Sequence, residues 1–324
     1  MKIIGRQVSI GLGIESSRGT AVAPSHFLPR MSLTHDDKVQ RIEDESSVGT
    51  IGDAIGGDVT QRYSEGEIKG RIDSETVGVV LLATLGDVST ATVESGVYDH
   101  TFSLLESAQH PSMTMSVKDA NAGSGLQYAL TLVDSLDIKA EINSYCEYTL
   151  KYRGNSKASG TVTPAFESNL PVFLPQHGTL KLASNVAGLS GASATEIKKF
   201  ELSIKKNIED DQILGDIEAV DRMNKQFVVD GSFEVIATDR AFIDTMLAGD
   251  AKALRFALTH SGVTIGASAH PTLTVTLNKV HLSEVGSAYA NNDFVRQTIS
   301  FKAYYSLEDA QMIEAVLRNS TASY

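Results

Sequence analysis

The sequence predicts an all-β protein. Two observations carry that prediction: apolar and charged residues alternate with a period of two through several separate stretches, and only two short segments carry helical spacing. A third observation, the order in which these stretches recur, points to one structural unit present twice.

Each element follows from its own pattern. A short strand is predicted around Met31-Ser-Leu33, followed by a charged stretch ending in Arg41-Ile-Glu-Asp-Glu45. Residues 64–73 then alternate, with Ile68, Gly70 and Ile72 on one face and Glu65, Glu67, Lys69 and Arg71 on the other, as a half-buried strand requires. Ser74 is placed to cap a helix in which Val77, Val80, Leu81, Thr84 and Leu85 share a face and Gly86 is the stop. Strands are expected at 101–105 and 113–117, and the glycine-containing run 119–125 reads as a connector. A long pair closes this half. Leu136, Ile138, Ala140 and Ile142 alternate with Asp137, Lys139 and Glu141, and residues 146–152 alternate behind them.

Residues 160–194, rich in Ser, Gly and Ala, hold a linker and a strand near Gly178–Ala183. The earlier order then returns. Phe200-Glu-Leu-Ser-Ile204 precedes the charged Asn207-Ile-Glu-Asp-Asp211, a strand centred on Gly231 and a second helix. Thr238 is placed to cap that helix, with Phe242, Ile243, Met246 and Leu247 buried and Gly249 at its end. Strands at 254–259, 273–277, 280–290 and 294–305 complete the second half. Pairing Ser32 with Ser203, Gly66 with Gly231, Gly86 with Gly249 and Tyr148 with Ile299 gives offsets that shrink along the chain, as loop shortening would produce. The expected organisation is two tandem β-sandwich or barrel domains, each with one flanking short α-helix. The first, 1–167, carries an N-terminal arm and a long loop at 44–58; the second, 168–324, carries a C-terminal arm. Chance similarity between two unrelated β domains is the competing reading.

At 324 residues the chain is long enough for two domains with separate cores. A hydrophobic content of 42% and a mean hydropathy of -0.07 describe a soluble globular chain. The longest helix-compatible apolar stretch, 77–85, is too short to cross a bilayer. Residues 1–6 turn polar before a signal-peptide core could form, and the lone Cys146 excludes an internal disulfide, so synthesis in a reducing cytoplasm is expected. Twenty-eight basic against 40 acidic side chains give a formal charge of -12. Divided before Phe166, the halves hold 14 basic and 21 acidic, then 14 basic and 19 acidic, so both are acidic, at -7 and -5. Gripping nucleic acid through its phosphates needs a concentrated basic surface, and none is visible. The acidity serves solubility, or it marks a surface past which a polyanion must slide without sticking.

Catalytic signatures are missing. The eight histidines lie far apart in sequence, none pairs at metal-ligand spacing, and Cys146 has no cysteine partner for zinc. A lone histidine in such a protein is expected at the surface or a strand end. Gly11-Leu-Gly13 resembles the start of a dinucleotide loop, but Ser16 replaces the third glycine and no βαβ unit surrounds it. Neither a Gly-x-Ser-x-Gly elbow nor a phosphate-binding Gly-Lys-Ser/Thr occurs. Glu209-Asp210-Asp211 and Asp36-Asp37 read as solvated turns, and Asn319-Ser-Thr321 matches a glycosylation triplet. No catalytic residue, metal or cofactor is expected.

One family shares the order of these motifs. Gly13-Ile-Glu-Ser-Ser-Arg-Gly-Thr-Ala-Val-Ala-Pro24 with Phe27-Leu-Pro29 resembles the opening of the tail tube (major tail) proteins of long non-contractile-tailed bacteriophages. So do Lys38-Val-Gln-Arg-Ile-Glu-Asp-Glu-Ser-Ser-Val-Gly49, Tyr63-Ser-Glu-Gly-Glu-Ile-Lys-Gly70 and the helix ending Ala83-Thr-Leu-Gly86. In the second half, residues 200–211, Phe227-Val-Val-Asp-Gly-Ser-Phe233 and the close Arg318-Asn-Ser-Thr-Ala-Ser-Tyr324 are similar to that family too. The resemblance covers most of the chain and rests on motif order.

It implies a structural virion protein whose subunits join their inner sheets into a barrel and stack as rings into a hollow tail tube for DNA. Closing a sheet between subunits leaves no free strand edge. The alternation then makes Glu65, Glu67, Lys69, Asp137, Glu141, Glu147, Asp230 and Glu234 the candidate lumen-lining residues, and loop 44–58 the candidate ring-to-ring contact. Family rings are hexamers of one-domain chains. Two domains per chain therefore imply a homotrimer with pseudo-sixfold symmetry, against a true hexamer in which 160–324 decorate the outside. The implied partners are the chain itself, the tape measure protein and tail-end proteins, with DNA passing transiently and without specificity. No membrane is involved. A tail-tip or baseplate hub protein is the nearest alternative. A carbohydrate-binding β-sandwich adhesin is a second, weakened by zero Trp and 6% aromatics.

Overall fold

The computed structural model describes residues 2–119, 125–168 and 170–324, so the connector expected at 119–125 lies almost wholly outside the described residues. The first half holds strands β1 (Ser9–Ile14), β2 (His26–Phe27), β3 (Arg30–Asp44) and β4 (Gly56–Arg71), then helix α1 (Val77–Leu85). It continues with β5 (Gly86–Glu94), β6 (Val97–Leu104), β7 (Met113–Lys118), β8 (Gly125–Glu141), β9 (Glu147–Gly154) and β10 (Ala158–Gly160). The second half opens with β11 (Gly178–Ala183), β12 (Ala194–Thr195), β13 (Lys199–Lys205), β14 (Glu209–Asp211) and β15 (Asp221–Met223). Strand β16 (Val228–Ile236) and helix α2 (Ala241–Ala248) follow. The last strands are β17 (Lys252–Thr259), β18 (Thr272–Ala288), β19 (Arg296–Tyr304) and β20 (Ile313–Asn319). The fold is all-β with two helices, as the alternation predicts.

One antiparallel sheet runs through both halves in the order β3-β4-β9-β8-β13-β16-β19-β18. Its apolar face is buried: Ile68, Ile72, Leu150, Phe233 and Ile299 are essentially inaccessible, and Phe200 stacks on Phe256 with ring centroids 4.1 Å apart. Behind it lie two further sets of strands. One runs β2-β1-β7-β8-β10, the other β5-β6-β20-β18-β17-β11-β12. The long strands β8 and β18 belong to both layers. Each pairs through its first residues in the back layer and through its later residues in the continuous sheet.

The two halves follow one plan at the level of register. β3-β4-β9-β8 and β13-β16-β19-β18 have the same strand order and the same helix after the second strand. A register shift falls between Val133 and Ser135 of β8, and its counterpart between Leu282 and Glu284 of β18. Gly66 lies opposite Tyr152, and Gly231 opposite Phe301. A Cβ on Gly66 would stand 2.3 Å from the Thr34 carbonyl and 2.5 Å from the Tyr152 hydroxyl; on Gly231 it would stand 2.4 Å from the Glu201 carbonyl and 2.6 Å from the Phe301 ring. Both positions need glycine because backbone and ring close over them. These registers correct two expected equivalences. With Gly66 matched to Gly231, Ser203 corresponds to Asp36 and not Ser32, and Ile299 to Leu150 and not Tyr148. Like residues favour the shifted pairing, whereas cross-strand partners set the true frame.

The halves are also sewn together. β13 of the second half pairs along β8 of the first, and β20 of the second pairs along β6 of the first. The anticipated boundary at 167/168 falls in irregular chain between them, while the sheet itself is uninterrupted.

Both helix caps differ from expectation. Asp73, not Ser74, accepts the backbone N–H groups of Glu75 and Thr76 ahead of α1, while the Ser74 hydroxyl turns to Glu75. Asp239, not Thr238, accepts the N–H of Ala241 at the start of α2. Gly86 and Gly249 end the helices in the left-handed conformation as predicted. The predicted apolar stripes diverge. All nine residues of α1 are buried, whereas none of α2 is, and Leu247 is 75% exposed.

Candidate conduit face and assembly edges

All eight candidate lumen residues stand half-buried on one face of the continuous sheet, opposite its apolar core. The face is concave, with a hollow of about 670 Å³ lined by Lys69, Asp137, Glu147 and Asp230 among others. Its charges are organised in pairs within the plane. Lys69 meets Glu147 at 2.7 Å, Lys139 meets Glu141 at 2.8 Å, and Lys199 meets Glu201 at 2.8 Å. The Lys139–Glu141 hydrogen bond raises the lysine pKa and lowers that of the carboxylate. The repeat preserves the pairs. Lys38 with Glu65 in the first half corresponds to Lys205 with Asp230 in the second. Lys69 with Glu147 corresponds to Glu234 with Arg296, the same position with the charges exchanged.

Exposed pairs of this kind contribute little stability each, at most about 1 kcal/mol. Their effect is on the field: Lys38, Lys69, Lys139, Lys199, Lys205 and Arg296 each have a neighbouring acid. Glu67 and Asp137 stand outside the ion pairs among the described residues.

A buried polar cluster was not anticipated. Hairpin β14–β15 sets Asp210 opposite Arg222 and carries both onto the first half. The fully buried Arg222 donates from Nε to Asp210 Oδ1, and from Nη1 to the Leu130 carbonyl and Asn155 Oδ1, each at 2.8 Å. Asp210 Oδ2 also receives Arg153 at 3.0 Å and Gln61 at 2.9 Å. Burial lowers the Arg222 pKa and Asp210 opposes the shift. Asp210 is thus no solvated turn residue, and Asp36-Asp37 lie within β3. Beside this cluster the buried Lys206 donates to the Ala83 carbonyl at the end of α1, 2.9 Å away. Burial lowers its pKa to about 7.

The other sequence candidates resolve simply. His100 is fully buried and bonded to Thr90 Oγ1 and the Thr321 carbonyl, each at 2.8 Å; this corrects the expectation of a surface histidine. Asn319 of the glycosylation triplet is buried, with its amide donating to the Ser74 carbonyl. Among the described residues no group of three or more His, Cys, Asp or Glu is placed to hold a metal ion.

Two edges of the continuous sheet stay open. Among the described residues, β3 pairs only with β4, and the later part of β18 pairs only with β19 along its length. Long unpaired edges invite pairing with another chain, and proteins that remain single cover or blunt them. The fold is thus that of an all-β structural subunit with two open strand edges. The chain belongs to the phage tail tube proteins, whose family model matches residues 5–303 and so takes in both halves. No curated protein matches it. It is a component of the virion tail.

Proposed function

We propose that each chain supplies two of six tube units, so that three chains close one ring of the conduit around DNA. The observation that carries this reading is the β8–β13 junction, which joins two four-stranded units of identical order into one sheet. Three such sheets placed end to end close a barrel with six quasi-equivalent units. In this reading residues 1–167 and 168–324 are the two tandem domains. The concave charged face, with Glu65, Glu67, Lys69, Asp137, Glu141, Glu147, Asp230 and Glu234, lines the lumen. In-plane pairing of most of its bases leaves few free to hold phosphates, so DNA passes without specific contact. The tip between β3 and β4, with Ile51 fully exposed, reaches the adjacent ring. The tape measure protein occupies the lumen before DNA does, and tail-end proteins cap the stack. Nothing in this role calls for catalysis. Cryo-electron microscopy of purified tubes tests it. Threefold averaging should separate the two units of each chain, and side chains resolved equally well under sixfold averaging would overturn the trimer.

A further inference from the structure

The two open edges of the sheet are complementary, and the chain contains the template for how they meet. β13 lies along β8 with Glu201 opposite Lys139, Ser203 opposite Asp137 and Lys205 opposite Ser135. The strand registers make β3 the counterpart of β13 and β18 the counterpart of β8. Matching through Gly66 and Gly231 sets Thr34, Asp36 and Lys38 in the places of Glu201, Ser203 and Lys205. Matching through the register shifts at Val133/Ser135 and Leu282/Glu284 sets Glu284, Gly286 and Ala288 in the places of Ser135, Asp137 and Lys139.

We propose that the outer edge of β18 binds β3 of a second copy in the register that β13 takes on β8. Glu284 then faces Lys38, Gly286 faces Asp36, and Ala288 faces Thr34. This inference rests on the ring reading above and adds which edges meet and in what frame.

Three independent features of the surface fit a second copy in that frame. The Lys38–Glu284 pairing joins opposite charges on the concave face, where Lys38 already lies 3.5 Å from Glu65. On the opposite face the frame carries Tyr289, 76% exposed, to half-buried Leu33. Beyond the pairing, Val39 takes the place of Lys206, whose side chain reaches the end of α1. Val39 is 50% exposed, and the helix it would reach is α2, whose Leu247 is exposed in the single chain. The different burial of the two helices thus has one cause. α1 is covered by the second half of its own chain, through Lys206 and Tyr324, and α2 awaits the same cover from a neighbour.

Paired cysteines read the register. Thr34→Cys with Ala288→Cys in one chain places thiols directly across the proposed junction. Within one chain these strands lie at opposite ends of the sheet, seven strand spacings or roughly 34 Å apart, so any disulfide joins two copies. The only native cysteine, Cys146, is buried. Mild oxidation of assembled tubes should give a covalent ladder ending at trimer on a non-reducing gel. Lys38→Cys with Ala288→Cys, displaced by four residues or about 13 Å, should remain monomeric. Tubes that form but cross-link only through the displaced pair, or through neither, overturn the register and leave the ring reading standing. Unmodified protein that forms neither rings nor tubes in the microscope overturns the ring reading itself. Charge exchange gives a second measurement should the cysteines impair assembly. Lys38→Glu or Glu284→Lys alone should lower tube yield several-fold at low salt, and the two together should restore it. Absence of restoration overturns the pairing.

Discussion

Lys206 is a fully buried lysine whose ammonium is held by one carbonyl at the end of α1. Its folded pKa of about 7 lies below the value of about 10.4 expected of an unfolded chain. Between those values the unfolded state binds more protons, so stability from this group is fully present above the unfolded value and lost as pH falls to 7. The subunit should therefore gain stability from pH 7 to 9.5, at a slope of at most about 1.4 kcal/mol per pH unit. Lys206→Met should flatten that rise in denaturant titrations, and an unchanged slope would locate it elsewhere. His110 acts in a lower window: burial brings it from 6.5 to about 4, so stability falls as pH drops between those values. Alternation made the charged face legible, since Glu65, Glu67 and Lys69 follow the period of their strand. Asp210 was illegible because its partner Arg222 arrives through a hairpin with no periodic signature. Ser74 misled because Asp73, one residue earlier, has the stronger acceptor.

Among the elements, the helices show how one pattern acquires two meanings. α1 and α2 both read as amphipathic, yet one is enclosed on all sides and the other lies half in solvent. Leu81→Ala should cost the isolated subunit about 2–5 kcal/mol in equilibrium unfolding, as a core truncation does. Met246→Ala should cost less than about 1 kcal/mol there, and should instead weaken assembly. Equal losses in the isolated subunit would mean that α2 is already covered. Strands with one buried face were readable, including β4, β8, β9 and β16. β5 escaped because Gly86–Glu94 exposes small polar residues on both faces, and β1 because its glycines imitate a nucleotide loop. β20 alternates cleanly but stood where a terminal arm was expected, so its pairing with β6 and β18 went unread.

For the whole molecule, the repeat matters most, because in the proposed ring the β8–β13 junction inside one chain is the template for the contact between chains. Of the acids among the eight candidate lumen residues, Glu67 and Asp137 stand outside the ion pairs of the concave face. Glu67→Lys with Asp137→Lys should leave virions assembled, yet slow DNA ejection by adding uncompensated positive charge to the conduit. Unchanged ejection kinetics would place this face away from DNA. The seat of β20 between β18 and β6 has a consequence of another kind. Asp99 and Arg318, 219 positions apart, close an ion pair across that seam. During synthesis β6 leaves the ribosome early, whereas β20 follows every other strand of its sheet. The first half must hold its edge bare until that late arrival, and its folding inherits the slow closure of a very long loop. Until synthesis has delivered β20, a nascent chain consequently has an incomplete layer behind its continuous sheet.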